Sequence, residues 1–232
     1  MIRHITYCND SMTISAEKCS ESAMLHGCDV STIYTEECLD SDFVKRNRHT
    51  LDNERGAGFW IWKPQIILQE LAVCQPGDVL IYTDAGVEFI NPVQHLVNKM
   101  DSFCMFFEAH YWHHEYCKGD VLFLSEYTTP VPQLQATSML FKYSLTTECF
   151  VEKWLSLCQE PGLIDDSPSY TENHPKFKEH RHDQAILTTL AIMHGIQAHA
   201  WPARYYNGTG YFDYLKTGTP IFNHHRKRNS EW

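Results

Sequence analysis

The 232-residue chain has nine cysteines, yet no two of them stand as Cys-x-x-Cys and their number is odd. That argues against a zinc ribbon or a disulfide framework, and reduced, unpaired thiols are expected. Cations are also scarce, with 19 Lys and Arg against 29 Asp and Glu for a net charge of -10. A nucleic-acid partner would demand a broad basic face, so none is expected and any positive patch must be local. The concentrated patch is His224-His225-Arg226-Lys227-Arg228. No apolar run reaches the ~20 residues of a membrane-spanning helix, and residues 2–7 read as a first strand rather than a signal peptide. A cytoplasmic protein is expected, with peripheral membrane contact left open. No Pro/Gly/Ser-rich linker, internal repeat or low-complexity tract divides the chain, so residues 1–232 read as one α/β domain.

Short apolar runs alternate with helical patterns, which is the signature of an α/β sheet. Strands are expected at residues 2–7, 30–35, 79–82, 104–107, 139–142 and 196–199. A helix over residues 13–26 joins the first two, with Ala16, Cys19, Ala23 and Met24 on one face and Gly27 as its stop. Pro64 suits the first turn of a helix running to Cys74, because the missing N–H would be unpaired there anyway. Gln75-Pro76-Gly77-Asp78 then turns the chain into the strand at 79–82, leaving Asp84 just beyond a buried strand's C-terminal end. Ligands of open α/β sheets bind at that edge. Further helices are expected from Ser144 or Thr146 to Cys158 and from Asp183 to His194, separated by a polar loop over residues 162–178.

The most informative stretch is Glu54-Arg55-Gly56-Ala57-Gly58-Phe59-Trp60-Ile61-Trp62-Lys63-Pro64, followed by Thr83-Asp84-Ala85-Gly86. A glycine turn, two indoles, cations and a strand-end carboxylate are the groups that hold an anionic nucleotide and its sugar. Glycosyl transfer must stabilise charge on a departing diphosphate and an oxocarbenium-like sugar while excluding water. Asp84 is the candidate carboxylate, and Arg55 and Lys63 are cations suited to a diphosphate. Thr6 and Tyr7, at the end of the first strand, are placed to meet the base or ribose. Blander roles exist for each: Asp84 as turn former, Thr6 and Tyr7 as a plain strand end, Asp183 as a helix cap. Trp60 and Trp62 point to opposite faces if extended, so at most one meets a ligand. His110, His113, His114 and Glu115 do not complete His-Glu-x-x-His, because Lys118 stands where the second histidine belongs. They read as a solvated aromatic-rich loop near an acceptor, with Lys118 and Asp120 offered to it.

These segments resemble the GT-A fold glycosyltransferases, in particular a bacterial polysaccharide and large-virus group with a pattern close to RGxGxWxWKPxIILxxL, then GDxxxYxDAG. The likeness continues in order. The stretch Gln133-Leu134-Gln135-Ala136-Thr137-Ser138-Met139-Leu140-Phe141 resembles the strand that contacts the donor sugar, where family 8 retaining enzymes carry Asn-Ala-Gly. His180-Arg181-His182-Asp183-Gln184-Ala185-Ile186-Leu187 resembles an HRxDQxIL element. The resemblance implies a mixed, mainly parallel sheet with helices on both faces. It also implies a nucleotide diphosphate sugar donor, by default a UDP-sugar, and a glycan or glycoconjugate acceptor.

It further implies Gly86, Gln133, Gln135, Ala136, His182 and Gln184 at the donor sugar or acceptor. Asp183 would be the base of an inverting reaction or a donor-orienting group in a retaining one. His224 to Arg228 would fold back over the nucleotide, with His225 near the metal or diphosphate and Arg226 and Arg228 on leaving-group charge. A basic tail on an anionic surface is the alternative for that segment. Many GT-A enzymes hold Mn²⁺ or Mg²⁺ with Asp-x-Asp, but Gly86 stands where the second carboxylate would be, and Glu88 substitutes only if the strand runs on unbent. A divalent cation on Asp84 and one histidine is what the resemblance implies. Two other functions use the same residues. One is a metal-dependent phosphate or sugar-phosphate hydrolase, for which only His180 with His182 supplies ligands close in sequence. The other is a non-catalytic carbohydrate-binding protein.

Overall fold

In the computed structural model, which describes residues 1–125, 129–206, 209–213 and 218–232, short buried strands alternate with amphipathic helices. The strands are β1 (Ile2–Tyr7), β2 (Val30–Tyr34), β3 (Val79–Thr83), β4 (Val87–Phe89), β5 (Cys104–Met105), β6 (Glu108–Trp112), β7 (Pro132–Leu134), β8 (Ser138–Lys142), β9 (Ala203–Tyr206), β10 (Tyr211–Asp213) and β11 (Phe222–His224). The longer helices are α1 (Thr13–Leu25), α2 (Ser41–Leu51), α3 (Trp62–Leu71), α4 (Leu145–Gln159) and α5 (His182–Met193).

The main sheet runs β2-β1-β3-β8-β5. Its first three strands are parallel, and β8 is antiparallel to both its neighbours. Because α1 carries the chain from β1 to β2 and α2 with α3 carry it from β2 to β3, the C-terminal ends of all three lie on one edge. Every residue of β3 is buried, as a strand covered on both faces requires. Its alternating side chains feed two cores. Leu80 and Tyr82 join Ile66, Ile67, Trp154 and Ile186 from α3, α4 and α5. Val79 and Ile81 join Val87, Phe89, Trp201 and Phe222.

The expected mixed sheet flanked by helices is therefore present, and the first two strands, 79–82 and 139–142 fall within a residue of their expected bounds. One face carries more than helices: α1 shares it with a four-stranded sheet, β10-β9-β11-β4. The sequence did not announce that sheet, because strands of three or four residues are too short for alternation to register. The strand expected at 196–199 reduces to one bridge between His199 and Phe107. The histidine cluster is not a solvated loop either. Residues 108–112 form β6 against β7, and His113 and His114 are buried. Among the described residues no helix is long and apolar enough to cross a membrane, and all nine cysteines are free.

Candidate active site

A groove runs over the C-terminal ends of β1, β2 and β3. Three adjoining hollows of about 840, 360 and 320 Å³ form it, the first two sharing Tyr7 and Cys8, the last two sharing Trp60, Asp84, His224 and Arg226. One wall is set by the start of α3. Gly56, Ala57, Gly58, Phe59 and Trp60 all have positive φ, so the chain coils tightly instead of extending. Glycine is required at Gly58, where a Cβ would sit 2.7 Å from the Leu51 Cα. The coil separates the two indoles. Trp62 stacks on Tyr7 with ring centroids 3.8 Å apart and donates Nε1–H to the Gly56 carbonyl at 2.9 Å, while Trp60 is half-exposed on the groove wall.

The same coil delivers Lys63, the second residue of α3, into the floor. Its ammonium is buried, donates to the Ala136 carbonyl at 3.0 Å, and lies 3.1 Å from Asp183 Oδ2 and 3.4 Å from Asp84 Oδ1. Burial alone would depress its pKa, but the two carboxylates outweigh that and hold it above the ordinary lysine value. Asp183 is wholly enclosed. Burial pushes its carboxyl up to about 6, Lys63 pulls it back, and Asp84 adds repulsion. It stands in the first turn of α5, but its carboxylate pairs with Lys63 instead of capping, the N-cap position being Arg181. Asp84 is half-buried at the end of β3, and Tyr82 donates its hydroxyl to Asp84 Oδ1 at 2.6 Å.

Around this centre stand residues that the sequence only partly indicated. Gln184 accepts from the Ala136 N–H at 3.3 Å and donates to Tyr111 Oη at 2.7 Å and Gln133 Oε1 at 2.9 Å. Arg181 donates to the same tyrosine at 2.8 Å and stacks on the rings of Tyr111 and Tyr116. Arg181 was visible inside the HRxDQxIL element and Tyr82 inside GDxxxYxDAG, whereas Tyr111 had no motif to mark it. Gln135 and Arg55 line the groove, the latter paired with Asp166 at 3.3 Å and Glu179 at 3.5 Å.

Other expected residues fall elsewhere. Thr6 is wholly buried beneath the floor, and only Tyr7 of that pair reaches the groove. Gln133 lies behind Gln184, and Ala136 contributes through its backbone. Lys118 and Asp120 do not line the groove. The Lys118 ammonium donates to the carbonyls of Asp165 and Ser167 at 3.1 and 3.0 Å, and the Asp120 carboxylate accepts the N–H groups of Tyr170 and Thr171, so both secure the 162–178 loop. His180 and His182 also hold that loop, donating to the carbonyls of Leu163 at 2.8 Å and Ile164 at 2.7 Å, and His182 lines the groove as well, as expected. His180 also accepts the Lys118 N–H at 3.4 Å, so both its nitrogens are engaged, whereas the buried Nε2 of His182 has no hydrogen-bond partner.

The basic segment is docked rather than a free tail. Its strand β11 pairs with β4 and β9, the Lys227 carbonyl accepts from Ser15, and Asn229 donates to the Asp10 carbonyl at 2.7 Å. His224, not His225, lies on the Asp84 side. Its buried Nδ1 has no hydrogen-bond partner, and burial lowers its pKa to about 4. His225 instead accepts from the Lys227 N–H at 3.0 Å and packs edge-on to Trp232.

The residues present do not form the Asp-x-Asp cradle that the resemblance implied for Mn²⁺ or Mg²⁺. Asp84 and His224 are both near, but Gly86 has no carboxylate and His225 faces away. Glu88 accepts from Asn223 at 3.1 Å on β4 and lines none of the three hollows. Among the described residues no three His, Cys, Asp or Glu side chains converge as a ligand set.

The fold is that of the GT-A glycosyltransferases. The bifunctional glycosyltransferase WbbM matches 98% of the chain with a TM-score of 0.61 at 10% identity, and the chain spans 46% of that protein. Mouse xyloside xylosyltransferase 1 matches 96% of the chain and 96% of its own length, with a TM-score of 0.54 at 12% identity. The galactosyltransferase LgtC, solved in complex with donor and acceptor sugar analogs, matches 97% of the chain and 87% of its own, again with a TM-score of 0.54 at 12% identity. No family model matches the sequence, and no curated protein does.

Proposed function

We propose that the protein is a glycosyltransferase that takes a sugar from a nucleotide diphosphate donor, by default a UDP-sugar, and passes it to a glycan or glycoconjugate. The observation that carries this reading is the buried Lys63 ammonium set between Asp84 and Asp183 beneath a groove at the strand ends. A core lysine with two acidic partners is costly to build, and here it fixes two carboxylates at the edge where α/β sheets bind ligands. In this reading Tyr7 flanks the base and ribose, Asp84 meets the donor, and Arg226 and Arg55 face the diphosphate. As the bond from sugar to diphosphate breaks, these preset cations stabilise the charge that develops on the leaving group. Gln184, locked by Tyr111 and Gln133, is positioned for the sugar hydroxyls. The free thiols suit a reducing cytoplasm.

Calorimetric titration with UDP and GDP tests the reading. Micromolar to millimolar binding of one of them is expected, with transfer or slow hydrolysis of the matching nucleotide sugar. Affinity for free sugars without any for nucleotides would favour a carbohydrate-binding protein on the same fold.

A further inference from the structure

Gly86 occupies the place where the resembled enzymes carry their second metal-binding carboxylate, and the structure gives a steric reason for glycine there. A Cβ at Gly86 would lie 3.0 Å from the Arg226 Cα and 3.3 Å from its backbone nitrogen. The atoms it meets are main chain, which cannot swing aside as a flexible side chain would. They are also tied down, since the Gly86 carbonyl accepts the N–H groups of His225 at 2.9 Å and Arg226 at 3.2 Å. β11, paired with β4 and β9, fixes the segment from the other side.

Arg226 itself has a φ of +61°, which a non-glycine residue keeps only where its surroundings impose it. The consequence is that its exposed side chain borders the same two hollows as Asp84. Its guanidinium is held by a neutral partner, donating to the Tyr205 hydroxyl at 2.8 Å. Asp84 meanwhile already has the Lys63 ammonium at 3.4 Å and the Tyr82 hydroxyl on the same oxygen, so it offers a metal ion less charge than a free carboxylate does.

We propose that Arg226 does here what a divalent cation does in Asp-x-Asp enzymes, so that the donor diphosphate binds and is neutralised without metal. A guanidinium suits the task because its fork of donors matches phosphate oxygens in a bidentate fashion. The inference rests on the donor-site reading above, and the experiment separates the two.

The intact protein is titrated with UDP and with GDP, once in excess EDTA and once in excess Mn²⁺. Dissociation constants agreeing within about threefold are expected for the nucleotide that binds, with Arg226→Ala weakening it at least about tenfold in both conditions. Gly86→Asp is expected to weaken binding rather than make it metal-dependent; if that variant misfolds, Arg226→Ala with its exposed side chain still decides the matter. Binding that vanishes in EDTA and returns with Mn²⁺ overturns the inference while leaving the donor site standing. Unchanged affinity in Arg226→Ala also overturns it. No nucleotide binding under any condition removes the donor-site reading, and this proposal with it.

Discussion

Two kinds of cation meet in one groove. Lys63 is 3% exposed and has two carboxylates and a carbonyl within reach. Arg226 stands at the rim and is held by the neutral Tyr205 hydroxyl at 2.8 Å, whereas Arg181 adds to its tyrosine an ion pair with Glu179 at 3.1 Å. The first arrangement consumes the charge internally, as a buried ammonium must. The Arg226 arrangement keeps a guanidinium in place without neutralising it, so its charge remains for a ligand. Lys63 therefore builds the site, and Arg226 is what it presents to an anion.

The largest effect should come from breaking the internal pair. Lys63→Met leaves Asp183 enclosed without its counter-ion, which should cost about 3–5 kcal/mol, whereas Arg226→Ala, at an exposed position, should stay within about 0.5 kcal/mol of wild type. Urea unfolding of the two variants measures this directly. Equal stabilities would dissolve the distinction between a buried builder and a presenting rim.

Next in size is the other carboxylate of the pair. Asp84→Asn keeps the shape and the partners Tyr82 and Lys63 but removes the charge, and should lower transfer by about two to three powers of ten, the scale of one lost electrostatic stabiliser. The fold should survive, since Asp84 is half-buried beyond the strand. Near-wild-type transfer rates in a well-folded variant would reduce Asp84 to a turn former.

How much of this was legible follows the same division. Strands β1, β3 and β8 and helix α5 stood out because short apolar runs and a helical apolar stripe mark them, and they carry Tyr7, Asp84 and Asp183 to the site. Lys63 was legible as a cation in a glycine-rich stretch, but not as a buried one. Its depth depends on five successive positive-φ residues from Gly56 to Trp60, and periodicity carries no information about such backbone. The same holds at Arg226 and His182, both at positive φ. Choosing His225 over His224 was a one-residue error, and one residue on a strand turns a side chain to the opposite face. Lys118 and Asp120 were misplaced for another reason: their partners lie about fifty residues away in an irregular loop, and no local pattern encodes such pairings.

The smallest effect concerns the proton on Asp183 and sharpens the contrast between builder and rim. Its pKa is raised to about 6 by burial, held from rising further by Lys63. If its carboxylate form supports transfer, the rate should fall about tenfold for each pH unit below that value. Lys63→Met should move this acid limb to higher pH, because the group that favours the charged form is gone. Arg226→Ala should leave the limb where it is. The stability linkage has its own sign. A folded pKa above the unfolded value of 3.8 favours the protonated fold, so this contribution is fully present below pH 3.8 and is lost as pH rises through about 6. His4, His113 and His180, each buried and lowered to about 3, act oppositely, their contribution being lost as pH falls. The wild type must therefore be compared with Asp183→Asn, whose difference in unfolding free energy isolates the one proton. An acid limb that stays put in Lys63→Met would show that Asp183 titrates independently of the lysine beside it, and a difference that does not vary between pH 4 and 6 would show that folding does not raise its pKa.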